Sequence, residues 1–158
     1  MTSAQELESQ LQEIPNWTSV SFKSYILGGL APTMEIGERI EDLLEGFFKG
    51  RTVSAPASGA PGALFLTDRR MVFVTSEREG AQTEVLEYED VSGVVPEEGF
   101  SSTRITLRSE DETLTLTSVG NKTQSRAFVA TLRMKLELSE DLFSPGGPPK
   151  TEAQRLKN

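Results

Sequence analysis

The sequence predicts a mainly β domain of the α+β kind. It should hold seven short antiparallel strands curled into a sandwich or small barrel, one capping C-terminal α-helix, and a helical N-terminal extension. Three observations carry this. Between residues 40 and 117 short apolar runs recur at close spacing, alternating with polar residues or continuous over four positions, with turn residues between them. After residue 120 the apolar period changes from 2 to 3.6. Before residue 31 two further segments show helical spacing. The expected division is a helical extension over 1–35, the β domain over 36–138 and a tail over 139–158.

Each element has its own reason. Leu7, Leu11 and Ile14 fall at i, i+4 and i+7 on one helical face, and Pro15 ends it. Phe22, Ile26 and Leu30 fit a second helix, weakened by Gly28 and Gly29. Both helices have an apolar face to bury, against the domain's core or against a partner. The segment 38–49 is ambiguous between helix and strand, with Gly46, Phe47 and Phe48 favouring strand in its second half. Residues 51–62, rich in Ala, Ser, Gly and Pro, read as a flexible loop.

Residues 63–74 hold two continuous apolar runs around Thr67, Asp68, Arg69 and Arg70, a hairpin of buried strands. A break over 76–82 with Gly80 leads to an alternating stretch, 83–88, with Leu86 and Tyr88 on one side. Val91, Val94 and Val95 make a strand ended by Pro96 and Gly99. Ile105 and Leu107 face inward with Arg104, Thr106 and Arg108 outward; Leu114 and Leu116 repeat the pattern after a polar loop, 109–112. Asn121 and Gln124 resemble a capping box, and Phe128, Val129, Leu132 and Leu136 line one side of a helix of about seventeen residues. Residues 145–158 have almost nothing to bury and are expected to be disordered.

The chain has 158 residues, 16 basic and 24 acidic, with a net charge of −8. Such a chain is repelled by phosphate backbones, which argues against nucleic acid as a partner. It has neither Cys nor His, so zinc-finger spacing, Ser-His-Asp or Cys-His nucleophiles and haem or copper ligand sets are excluded. Carboxylate clusters such as 110–112 lack the alternating ligands and glycine of a calcium loop. No cofactor, metal or catalysis is expected. No apolar run approaches the ~20 residues that span a bilayer, and no secretory signal opens the chain. A cytoplasmic location follows as the expectation.

The segment GALFLTDRRMVFV (62–74) resembles the hairpin of bacterial pleckstrin-homology-like domains of the YokE-like group, through Gly62, Leu64, Leu66, Thr67, Asp68, Arg70 and Phe73. EVLEYEDVSGV (84–94) is similar to that group's next strand, through Leu86, Tyr88, Asp90, Val91 and Val94. GERI (37–40) matches the opening of the first strand, and Phe128 with Val129 the closing helix. The similarity covers about 36–136, and GRAM-type domains are the nearest confusion. It implies a PH-like barrel capped by the helix.

For the motif the residues themselves suggest a structural role. Thr67 and Asp68 suit a tight turn in which their oxygens accept backbone N–H bonds. Arg70 needs a carboxylate, with Asp90 one candidate, and Tyr88 needs a hydroxyl partner. The resemblance also implies a ligand position at the open end of the barrel, where Lys49 and Arg51 match, with Arg69 across the hairpin. Residues 36–136 hold 12 basic and 16 acidic side chains, so the expected function is a non-catalytic protein-binding or self-associating module. Binding of anionic lipid or phosphate at Lys49, Arg51 and Arg69 is the alternative, and a homo-oligomer is expected slightly more often than a monomer.

Overall fold

Residues 63–74 contain two apolar runs broken only by Thr67, Asp68, Arg69 and Arg70. In the computed structural model of the protein they form the hairpin against which the rest is stacked. The structure describes residues 4–14, 17, 23–50, 60–77, 80–109, 113–119 and 122–143. In chain order its elements are helices α1 (Ala4–Gln12) and α2 (Lys23–Leu30), then strands β1 (Ile40–Gly50), β2 (Ala60–Thr67), β3 (Met71–Glu77) and β4 (Gly80–Leu86). A 3-10 turn (Tyr88–Asp90) follows, then β5 (Val91–Glu98), β6 (Ser102–Ser109), β7 (Thr113–Val119) and helix α3 (Lys122–Phe143).

The strands form one seven-stranded sheet in the order β4-β3-β2-β1-β7-β6-β5, antiparallel throughout. Strand β1 joins its two halves, pairing with β2 from Ile40 to Phe48 and with β7 from Phe47 to Gly50. A Cβ at residue 46 would strike the Leu116 side chain and the Thr117 carbonyl, so β7 approaches β1 this closely because Gly46 has no side chain.

The curled sheet encloses one core and supports a second on its outside. Inside lie Leu44, Phe48, Leu64, Leu66, Met71, Phe73, Ile105, Leu107, Leu114 and Leu116, closed by Phe128, Val129 and Leu132 of α3. Phe48 and Phe73 stack there at 5.7 Å. Outside, Leu43, Ala63, Phe65, Val72 and Val74 meet Leu7, Leu11, Ile14, Trp17, Ile26 and Leu30 of the N-terminal segment. Successive residues of β2 and β3 thus point into different cores. That is why their apolar runs are continuous, since a strand buried on both faces has no polar side.

The expected elements are present, with five differences. Residues 40–50 are strand throughout, because Leu43 and Leu44 each find a core on opposite faces. Tyr88 lies on the 3-10 turn and not on β4. Strand β5 runs through Pro96 to Glu98; it is an edge strand, with one side on which a missing N–H has no partner to lose. Strand β2 begins at Ala60, inside the segment read as loop, and α3 runs for 22 residues, longer than its apolar stripe alone required. Phe22, residues 51–59 and 110–112, Asn121 and the tail over 145–158 lie outside the described residues.

Candidate functional site

The motif residues converge where β1 starts beside the β2–β3 turn. Ile40 is opposite Thr67, which brings Glu38, 32 positions away in sequence, against Arg70. The Arg70 guanidinium donates to both Glu38 carboxylate oxygens, Nη2 at 2.9 Å and Nε at 3.0 Å, and to the Thr33 carbonyl at 2.5 Å. The Glu38 side chain is fully buried, and the Thr67 hydroxyl and Glu35 N–H also donate to it, at 2.6 and 3.0 Å. Burial alone would push the Glu38 carboxyl up; the hydrogen bonds from Arg70, Glu35 and Thr67 prevail and hold it below its ordinary range. Arg70 is shifted up in turn, by its bond to Glu38.

The carboxylate that Arg70 needs is therefore Glu38 and not the candidate Asp90. Asp90 is exposed on the 3-10 turn, while the register of β1 delivers Glu38. Thr67 does serve the turn, accepting from the N–H groups of Arg69 and Arg70 at 3.1 and 3.0 Å. Asp68 instead crosses to β1, accepting the Arg39 N–H at 2.8 Å and returning its own N–H to the Arg39 carbonyl at 2.9 Å. Tyr88 is buried and donates to the Thr67 carbonyl at 2.5 Å. Burial and the charges of Glu41, Asp68 and Glu38 drive its phenol well above its ordinary range, so it stays protonated. This end of the barrel is a satisfied polar network with a structural task.

Of the ligand candidates, Arg69 and Lys49 lie at opposite ends of β1. Arg69 sits at this same end, its Nη2 donating to the Ile36 carbonyl at 3.3 Å and its Nη1 3.8 Å from Glu35. Lys49 lies nine residues along β1 from Ile40, about 25–30 Å away, exposed and opposite Thr115. Arg51 lies outside the described residues. The inner core opens through a cleft lined by Phe73, Leu86, Leu107 and Leu114, with Glu84 and Ser109 among its lining residues. Glu84 is the one carboxylate lining that cleft among the described residues. No cluster of three or more metal-ligating side chains occurs among the described residues.

A second surface starts at the same end. The outer face of the β1-β2-β3-β4 half is covered by α1 and α2. On the outer face of the other half, the register lines up Phe47, Thr117, Arg104 and Glu97 in one row, and Lys49, Thr115, Thr106 and Val95 in the next. Thr113, Arg108 and Gly93 form a third. Phe47 and Val95 are 46% and 37% exposed, and no described element lies over them. Sequence alternation already pointed Arg104 and Arg108 outward; what it could not supply was the register that sets them beside Lys49.

Seven antiparallel strands, curled around a core and closed by a C-terminal helix, define the pleckstrin-homology fold, in general a non-catalytic binding module. The structure is similar to the Vps36 N-terminal PH domain, with 19% identity and a TM-score of 0.51 over 68% of this chain and 86% of that one. It is also similar to the PH domain of USP37, with 14% identity and a TM-score of 0.48 over 60% of this chain and 96% of that one. Another similar structure is the hSac2 domain of the human phosphoinositide phosphatase Sac2, with 14% identity and a TM-score of 0.48 over 88% and 86%. No curated protein sequence matches the chain. Residues 34–134 match the bacterial PH domain family, and the chain belongs to it. Among the described residues no helix is long and apolar enough to cross a membrane.

Proposed function

We propose that this bacterial PH domain is a non-enzymatic, cytoplasmic module that binds protein, a second copy of itself included. Its YokE-like character rests on the hairpin residues of 62–73. The observation that carries the reading is the asymmetry of the sheet: one half has its outer face covered by the chain's own helices, while the other presents Phe47 and Val95 on a face that no other described element covers. Partly exposed apolar residues on a flat strand surface are what an interface core uses.

A second reading, weak binding of anionic lipid or phosphate at the open end, is favoured by Lys49, exposed there with no ion pair among the described residues. It draws no help from Arg69, which is engaged at the far end with Ile36 and Glu35. Flotation with neutral and anionic vesicles separates the two, run beside sedimentation of the wild type and Phe47→Asp. Self-association that Phe47→Asp abolishes, without flotation, supports protein binding. Flotation with anionic vesicles alone, lost at high salt, overturns it in favour of lipid.

A further inference from the structure

We propose that the outer face of β7 and β6, flanked by β1 and β5 and left uncovered by the described residues, takes an acidic stretch of a partner protein. This rests on the protein-binding reading and adds the chemistry of the partner. The chain carries a net charge of −8, yet Lys49, Arg104 and Arg108 share this surface. Lys49 and Arg108 make no ion pair among the described residues, and Arg104 has only Glu97 at 3.8 Å, both largely exposed. Among the described residues, Glu97 and, at the β2 side, Glu45 are the face's acidic content.

Between the cations lie the hydroxyls of Thr106, Thr113, Thr115 and Thr117. A hydroxyl both donates and accepts, whereas ammonium and guanidinium groups only donate, so the surface as a whole offers a surplus of donors. Carboxylates supply the missing acceptors, and charge-assisted bonds to them are the stronger kind. The spacing suits an extended chain. Arg104 and Arg108 lie about 13 Å apart along β6, with Lys49 about 10 Å across the strands, while same-side carboxylates of an extended segment recur about every 7 Å. The chain's overall negative charge does not prevent this, because charges beyond about 8 Å are largely screened at physiological ionic strength. Three cations are too few to hold so acidic a chain to an anionic bilayer.

The test is an amide chemical-shift titration of the full chain with a short polyglutamate peptide at low salt, with polylysine and phosphatidylserine-containing vesicles as comparisons. Polyglutamate should move amides around Lys49, Thr115, Thr106 and Arg108, with affinity falling about tenfold or more at high salt. Arg104→Glu with Arg108→Glu should abolish the response; the milder Arg104→Gln with Arg108→Gln should weaken it severalfold while core resonances stay put. No shift at low salt, shifts confined to another surface, an equal response to polylysine, or vesicle binding through these residues without polyglutamate binding would each overturn the proposal. Self-association that survives such a failure leaves the protein-binding reading standing and removes only the acidic partner.

Discussion

Replacing Arg70 with Met strands a buried carboxylate. The Glu38 side chain has no exposed surface and would lose its contacts to Nε and Nη2, keeping only the Thr67 hydroxyl and the Glu35 N–H. Removing one partner of a buried pair costs about 3–5 kcal/mol; with two donors left, about 3 kcal/mol is expected. Glu38→Leu should cost less, about 2 kcal/mol, because Arg70 is 14% exposed and keeps the Thr33 carbonyl and nearby Glu35. The double variant Glu38→Leu with Arg70→Met should fall well short of the sum, leaving a coupling of about 2 kcal/mol or more.

Urea unfolding measures all three, and pH adds a signature. In the wild type Glu38 is held below its unfolded-state value. Its contribution is therefore full above that value and is lost as pH falls through the lower, folded-state one. In Arg70→Met burial acts without the guanidinium, the carboxyl moves up, and its penalty disappears on acidification. The gap between the two proteins should close as pH drops from neutral towards the carboxylate range. An Arg70→Met protein within about 1 kcal/mol of wild type, an additive double variant, or a gap that widens in acid would refute the reasoning.

Other positions give independent checks by the same unfolding assay. Tyr88→Phe leaves the buried Thr67 carbonyl without its donor and should cost about 1–2 kcal/mol. Gly62→Ala should cost about 1–3 kcal/mol, since a Cβ there would land on the Val74 carbonyl and the Thr75 backbone. Gly28→Ala should raise stability by about 0.5–1 kcal/mol, because nothing lies within 4 Å of a Cβ at that helical position. Leu11→Ala, emptying a fully buried site in the outer core, should cost about 2–5 kcal/mol and should speed amide exchange in α1 and β3 together.

The strands and the closing helix were legible because their information is local: Ile105 and Leu107 alternate with arginines, and Phe128, Val129 and Leu132 keep helical spacing. Strand β1 was half legible. Leu43 and Leu44 serve two cores at once, which blurs the period-2 signal that a one-sided strand shows. The site was harder, because it depends on register. Choosing Glu38 over Asp90 for Arg70 requires knowing that Ile40 lies opposite Thr67, and no spacing within the chain states that. The same holds for Arg69 and Lys49, near in a sketch of the hairpin and far apart once β1 is laid out. A small signal was available: Glu38 stands beside Gly37 at the start of the first strand, and a carboxylate at a strand entry invites a search for a cation on the adjoining hairpin.

The double burial of β2 and β3 bears on how this domain can be cut. The stretch that matches the family begins at residue 34, and trimming there would be a natural choice for expression. It would remove Leu7, Leu11, Ile14, Trp17, Ile26 and Leu30 from the sheet, leaving Phe65, Val72 and Val74 in water. It would also sever the bond from the Ile40 N–H to Gln10 and the one from Thr83 to the Gly29 carbonyl. The trimmed piece would display a wet apolar sheet in its central strands, a template for aggregation. Homology thus marks where relatives agree, while solubility of this polypeptide depends on the two helices that lie before that mark.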